Sequence, residues 1–266
     1  MPRARIAILL AVSTVLVSCT SSHRQAQRPS PTPSPLPPLP AGAMVIVAAP
    51  GLKPAFDPLV AAFQSANPGV SPTVVYQGTQ SAATAILNGL QADVFAATDP
   101  SVMGALTATA DSPVTGTAVA FARDDLQIAL PTGNPKGIQT LADLAKPGTS
   151  VVLANPTLPE GRDAGTALAQ AGVKPAALSV QSSVGLVLTT LLSGRADASI
   201  LYRSDIASAG SNVTAAVIPA PDDVVVSYLI AVLRTGSNAP SGKGFVRFVL
   251  SDAGRSILTG AGLLPP

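Results

Sequence analysis

Beyond residue 43, the chemistry open to this chain rests on hydroxyls, backbone amides, carboxylates and a few cations. Its single histidine, His23, and its single cysteine, Cys19, both precede that point. A Ser-His-Asp or Cys-His pair therefore cannot be assembled further on, nor can a conventional zinc site or a disulfide. With no nucleophile–base pair and no metal cluster, an enzyme is not expected, and no cofactor is implied. Two scarce residue types stand out instead. Glu160 is the only glutamate, and the chain has only 3 tyrosines, of which Tyr202 closes a run that reads as a buried strand.

The elements that must position these groups alternate in type. Strands are expected at Met44–Ala49, Val70–Tyr76, Asp93–Ala97, Gln127–Pro131, Ser150–Ala154, Ala198–Tyr202, Ala215–Ile218 and Val225–Leu233. Helical spacing marks Ala55–Ser65, Ser81–Leu90, Leu141–Ala145, Arg162–Ala171, Gly185–Ser193, Gly242–Leu250 and Ala253–Gly260, with a further helix opening at Asp99-Pro100. Repeated strand–helix alternation argues an α/β fold with mainly parallel sheets. Some 220 residues fit one domain, or two lobes with a cleft.

Charge and hydropathy exclude two classes of partner. Four of the 16 basic residues (Arg3, Arg5, Arg24 and Arg28) precede residue 44, whereas all 14 acidic ones follow it, leaving a net of −2 there. A nucleic-acid binder needs a basic face to neutralise phosphates, so none is expected here. The composition is apolar, 47% hydrophobic against 11% charged with a mean hydropathy of +0.42, which raises the question of membrane spans. After residue 20 the apolar runs reach only about ten residues, as at Val224–Leu233, whereas a spanning helix needs about 20.

The first residues carry targeting signals. Arg3 and Arg5 precede an apolar stretch, Ile6–Val17, the pattern of a secretory signal peptide. It ends in Leu16-Val17-Ser18-Cys19, which resembles the lipobox of bacterial lipoproteins; that implies cleavage before Cys19 and acylation of its thiol and new amino terminus. Residues 20–43 are polar, then proline-rich, and favour extended polyproline II. The expected organisation is a signal peptide at 1–18, a lipidated tether at 19–43 and a globular part at 44–266, lipid-anchored on the extracytoplasmic face of the cell membrane.

Several runs resemble the molybdate-binding proteins of ABC transporters: MVIVAAPGLKPAF from Met44, ANPGV, VVYQGTQSAATAIL, LQADVFAATD, ANPTLPEG, SSVGLVLTTLLSGRADASILYRSDI and GRSILTGAGLLP. They span nearly all of 44–266 in the family's order, and ADVFAATD and ADASILYRSD are the more specific matches. The resemblance implies a two-lobed periplasmic-binding-protein type II fold, with the first lobe at about 44–123 plus 222–266 and the second at about 124–221. It implies capture of molybdate or a related oxyanion (tungstate, sulfate) between the lobes, hinge closure, and delivery to a membrane permease by a monomer. The chain itself places strand-to-helix turns at 50–55, 78–81 and 159–163, where backbone N–H groups and hydroxyls can hold an anion without charged side chains. Such turns lie at the carboxyl ends of strands, where ligands bind in sheets of this kind.

Carried over position by position, the family's five contacts fall on Gly51, Thr79, Glu160, Val184 and Tyr202. Gly51 stands where the family has serine, losing a hydroxyl but keeping an amide; it reads equally as a turn glycine. Thr79 keeps a hydroxyl and reads otherwise as a helix N-cap. Glu160 sits where the family offers only a turn amide, and a carboxylate facing an oxyanion in a dry cleft is unfavourable. It is expected to point outward, to pair with Arg162 or Arg203, or to mark a different ligand. Val184 offers a main-chain amide ahead of a helix. The Tyr202 hydroxyl is implied as a donor to the anion, against a plain core tyrosine. Arg203 could add a bidentate donor for an anion, but is expected in a surface salt bridge with Asp205. Another small solute, or a relative that has lost its ligand, remains an alternative function.

Overall fold

The computed structural model describes residues 38–266; Cys19, the signal peptide and most of the expected tether lie outside the described residues. The first sheet is seeded by β1 (Gly42–Ala48), flanked in parallel by β2 (Val70–Tyr76) and β3 (Val94–Ala97). Helix α1 (Lys53–Ala66) joins β1 to β2, α2 (Thr79–Leu87) joins β2 to β3, and α3 (Pro100–Thr107) follows. Next, β4 (Val114–Asp124) and β5 (Leu126–Pro131) are separated by one residue, Asp125, yet belong to different sheets.

The second sheet continues through β6 (Ser150–Ala154), α4 (Pro159–Gln170), β7 (Ala177–Gln181), α5 (Val184–Leu192), β8 (Ala198–Tyr202), α6 (Arg203–Ser208) and β9 (Val213–Val217). The chain then returns to the first sheet on β10 (Val226–Leu233) and ends with α7 (Ala239–Val249) and α8 (Asp252–Gly260). The strand orders are β2-β1-β3-β10-β4 and β7-β6-β8-β5-β9. Parallel pairing is confined to β1 with β2 and β3, and to β6 with β7 and β8; the pairs of β10 with β3 and β4, and of β5 with β8 and β9, are antiparallel. The sheets are thus evenly mixed rather than mainly parallel. Strands that carry the chain between lobes are not tied to a crossover helix, which is what parallel pairing requires.

Each sheet is covered on both faces, which is why its central strands are apolar at every position rather than alternately. In β1, Met44, Ile46 and Ala48 face a core built with α1, α7 and α8, while Val47 faces the core under α2 and α3. The first of these cores is aromatic: Phe56, Phe63, Phe121 and Phe245 meet edge to face at 5.2–6.1 Å between ring centroids. Helix α1 contributes Ala55, Phe56, Leu59 and Phe63 from one stripe, the spacing expected of an amphipathic helix. In the second lobe, Leu126, Ile128, Val151 and Ile200 pack under α4, and Ala129, Val152 and Leu201 pack under α5 and α6.

The strands at Val70–Tyr76, Ser150–Ala154 and Ala198–Tyr202 lie where their residue pattern predicts. Two strands lack a readable pattern. β4 holds Gly116 at φ +74° and slips register twice against β10, so no strict alternation survives along it. β7 is an edge strand with Leu178 and Val180 about half exposed, so no face of it is marked by burial. The turn at Leu141–Ala145 is a 3-10 helix held by a Thr140–Asp143 capping box. At the start, the folded part reaches back beyond Met44: Leu39 packs on the aromatic core and the Pro40 carbonyl accepts from Ser241 Oγ at 3.1 Å. The last tether residues are therefore built into the lobe.

The two Ala-Asp motifs, 92–93 and 196–197, perform one structural task in each lobe. Asp93 precedes β3; its N–H donates to the Val45 carbonyl at 2.8 Å, and its carboxylate accepts from the N–H of Val45 at 2.8 Å and of Asn238 at 2.6 Å. Asp197 precedes β8 and repeats the exchange with Ser150, accepting from its N–H and hydroxyl, each at 2.8 Å. Each carboxylate locks the start of one parallel strand to its neighbour. Asp93→Ala leaves two buried N–H donors unpaired, so it should lower stability by about 2–4 kcal/mol in a denaturant melt.

Candidate functional site

The parallel strands of both sheets deliver their carboxyl ends to one cleft of about 710 Å³ between the lobes. From the first lobe come the turns after β1 (Ala49, Pro50, Gly51), β2 (Gly78, Thr79) and β3 (Thr98, Asp99); from the second come those after β6 (Leu158, Pro159, Glu160), β7 (Ser183, Val184) and β8 (Tyr202, Ser204, Asp205). Every turn but one leads directly into an α-helix, and the exception passes through the short 3-10 turn Pro50–Leu52 before α1. Helix N-termini carry unpaired N–H groups and the positive end of the helix dipole, so the cleft collects donors from both sides.

All five positions singled out in the sequence line this cleft. Gly51 is exposed in the 3-10 turn, and a Cβ added there meets nothing within 4 Å, so a side chain at this point has room. Thr79 is the first residue of α2, not its N-cap, and its hydroxyl shares a 3.2 Å hydrogen bond with the Thr98 hydroxyl. Val184 opens α5 behind the Ser183 cap, whose hydroxyl accepts from Leu186 N–H at 3.3 Å; the Val184 and Gly185 N–H groups have no acceptor inside the helix. Glu160 stands at the start of α4, held against β6 because Gly161 lies too close to the Ala154 and Asn155 carbonyls for any Cβ.

Three expectations change. Glu160 does not turn away: it is half-buried in the cleft wall, and none of the ion pairs among the described residues includes it. Burial raises its carboxyl above the ordinary range, and nearby Asp163 adds to this. Arg203 pairs with Asp125 instead of Asp205, through two bonds of 2.6 and 2.5 Å. Tyr202 is buried and its hydroxyl donates to the Asp163 carboxylate, so its one proton is already engaged. Burial, and then Asp163, push the phenol well above its usual range.

Residue-level reading of the sequence missed the acidic character of the cleft. Asp205 lines it, with Oδ2 buried and without a hydrogen-bond partner, and burial holds its carboxyl well above normal. Asp163, three residues beyond Glu160 on α4, lies buried behind the lining, where it accepts from the Tyr202 hydroxyl. Asp124 is fully buried at the end of β4, where Ser204 Oγ donates to it at 2.6 Å and Tyr228 Oη at 3.2 Å. Tyr228 and Asp124 lie 104 residues apart, and no local pattern joins them. Among the described residues Arg162 is the one cationic side chain in the cleft lining, and its Nε donates to Asp163 at 3.0 Å. No group of three or more metal-ligating side chains occurs among the described residues.

Two mixed α/β lobes whose strand ends and helix N-termini face each other across a cleft define a solute-binding protein of the periplasmic type II architecture. The model of the bacterial extracellular solute-binding protein family matches residues 44–264, and the chain belongs to that family. It is a binding protein rather than an enzyme. The molybdate-binding protein ModA of Mycobacterium bovis is 34% identical over 226 residues, covering 85% of this chain and 86% of the relative, and the same figures hold for ModA of Mycobacterium tuberculosis. The fold is shared with the substrate-binding domain of a putative molybdenum ABC transporter from Clostridium difficile, with TM-score 0.75 and 21% identity over 84% of this chain and 99% of that one. It is shared also with the Azotobacter vinelandii periplasmic molybdate-binding protein, at TM-score 0.69 and 18% identity over 84% and 99%. The sulfate-binding protein SubI of Mycobacterium tuberculosis matches at TM-score 0.67 and 17% identity over 84% and 87%.

Asp124 gives the site a pH signature. Burial pushes its carboxyl up to about 6 from 3.8, although bonds from Ser204, Tyr228 and the Asp125 N–H oppose the shift. A carboxyl raised by folding favours the folded state while protonated, so this contribution is complete below about pH 4 and is lost as pH rises through about 6. The shift corresponds to at most about 3 kcal/mol. Melting temperature should therefore fall between about pH 4 and pH 7, and Asp124→Asn should reduce that slope; an unchanged slope would place the titration on another group.

Proposed function

We propose that this protein is the capture component of an ABC importer and binds molybdate or a related oxyanion, tungstate or sulfate, between its lobes. The observation that carries the reading is the convergence of helix N-termini at Gly51, Thr79, Glu160 and Val184 on one cleft. A tetrahedral oxyanion presents acceptors on every side, and this arrangement presents amides and hydroxyls from both lobes. The named ligands of the mycobacterial relatives support the same class. Closure is a hinge motion about the two crossings, at Asp125 and at residues 218–225, with one lobe at about 44–123 plus 222–266 and the other at about 124–221.

The contacts we assign are the backbone amides of Gly51, Glu160 and Val184, and the Thr79 hydroxyl. The Tyr202 hydroxyl, bonded to Asp163, braces α4 against β8 at the cleft wall. The half-buried Glu160 and Asp205 carboxyls favour a second reading, a different small solute that brings its own hydrogen-bond donors. The protein works outside the cytoplasm, held to the membrane by acylated Cys19 and a proline-rich tether. Anchoring raises the local concentration of the capture domain beside a permease.

A melting screen of the purified chain separates the two ligand readings. Molybdate or tungstate at about 100 times its Kd should stabilise by roughly 2.7 kcal/mol, an upward shift of about 5–10 °C. No shift with either near about 1 mM, alongside a shift with an amine-bearing or hydroxylated solute, would favour the second reading. Gly51→Ser places a hydroxyl in open space at the cleft and should tighten oxyanion binding about threefold to tenfold, read by calorimetry. Cys19→Ala should release the protein from the membrane fraction of expressing cells; retention there would sink the anchor.

A further inference from the structure

The second lobe brings two carboxyls to the cleft wall, and neither belongs to an ion pair among the described residues. Glu160 opens α4 and Asp205 lies in α6; both line the cleft, and Asp205 Oδ2 is sealed from solvent and bonded to nothing. Their surroundings hold other charged and titratable groups on every side. Asp99 comes from the turn before α3, Arg162 and Asp163 from α4, Asp124 from β4, Arg203 from α6, Tyr202 from β8 and Tyr228 from β10. Most donors among them are engaged elsewhere: the Tyr202 hydroxyl on Asp163, Arg203 on Asp125 and the Tyr228 hydroxyl on Asp124, while Arg162 spends its Nε on Asp163 and its charge lowers the Glu160 carboxyl.

That arrangement conflicts with a bound dianion unless something neutralises the pair. A fully deprotonated oxyanion can only accept hydrogen bonds, and an ionised carboxylate can only accept them too. Facing one another in a closed cleft, they repel, and neither is satisfied. Arg162 acts on Glu160 but no cation acts on Asp205, whose Oδ2 has no partner, and the species that resolves the conflict there is a proton from solvent.

We propose that the Glu160 and Asp205 carboxyls together take up one proton when the cleft is occupied, so that the site takes up a fully deprotonated oxyanion together with a proton. One solvent proton binds a carboxylate oxygen of the pair, the resulting O–H donates towards the ligand, and no other bond forms or breaks. The pair thereby acts as a specificity element. A sulfate-like or molybdate-like dianion needs the proton from the protein, whereas an anion that carries its own, such as hydrogen phosphate, can satisfy an ionised carboxylate directly. Burial already holds both carboxyls above their ordinary range, which lowers the cost of protonation at neutral pH. The inference rests on the oxyanion reading of the cleft.

Calorimetric titration of the full chain with micromolar molybdate, and separately with sulfate, tests it from about pH 5.5 to about pH 8 in two buffers of different ionisation enthalpy. Uptake of close to one proton per ligand at the alkaline end is expected. Affinity should there fall about tenfold per pH unit. Glu160→Gln and Asp205→Asn each replace one acid by a neutral donor, so either should flatten the pH dependence and tighten binding at the alkaline end. Two variants guard against one failing to fold. Oxyanion binding by the unaltered chain that is flat with pH and takes up no proton would overturn the proton pairing and leave the oxyanion reading standing. Binding of neither anion, by the unaltered chain or by either variant at any pH, would overturn the oxyanion reading and the pairing with it.

Discussion

The two lobes are joined where β4 runs into β5, and the single residue between those strands bears the junction. Asp125 holds Arg203 through two short bonds and accepts the Arg203 N–H on its own carbonyl at 2.9 Å. Next to it, buried Asp124 accepts from Ser204 and Tyr228, and Asp223, from the returning crossing, accepts the Leu126 N–H at 3.0 Å. A junction of carboxylates tied to hydroxyls, amides and one guanidinium keeps its polar groups satisfied while the chain changes sheets. It also sets the start of α6, and thereby the positions of Tyr202, Ser204 and Asp205 at the cleft.

From this junction the electrostatics of the site follow. Changing sheets at a buried point requires polar groups there, and the acids that meet the requirement lie near those that face the ligand. Burial raises the Asp205 carboxyl, and Glu160 and then Asp124 add to the shift. The cleft therefore combines two opposed fields: the positive ends of helices from both lobes, and a set of carboxyls concentrated in the second. Under the proposed proton uptake, protonation removes the second field when the first acts on an anion.

Much of the fold was legible from residues 44–266. Central strands such as Ser150–Ala154 are apolar at successive positions, and helix stripes such as Phe56, Leu59 and Phe63 repeat at helical spacing. Burial on two faces leaves those marks. The edge strand β7 and the bulged β4 left none, because partial exposure and register slips erase periodicity. The Ala-Asp pairs at 92–93 and 196–197 carried the resemblance most strongly, and their work is structural: each carboxylate brackets the start of two parallel strands.

For the site, the sequence by itself determined which turns would meet and which groups were absent. Strand-to-helix turns at 50–55, 78–81 and 159–163 must gather at strand carboxyl ends, and without histidine or cysteine there no Ser-His-Asp or Cys-His pair can form. Only the tertiary structure decided what the carboxyls do. Glu160 has two arginines within reach in sequence terms, yet Arg162 turns to Asp163 and Arg203 to Asp125, because ion pairing follows distance in space. The Tyr202 proton goes to Asp163, 39 residues away, and Asp205 Oδ2 is left buried without a hydrogen-bond partner. Hydrogen-bond assignment is a competition among all donors in a volume, and the membership of that volume is set by packing.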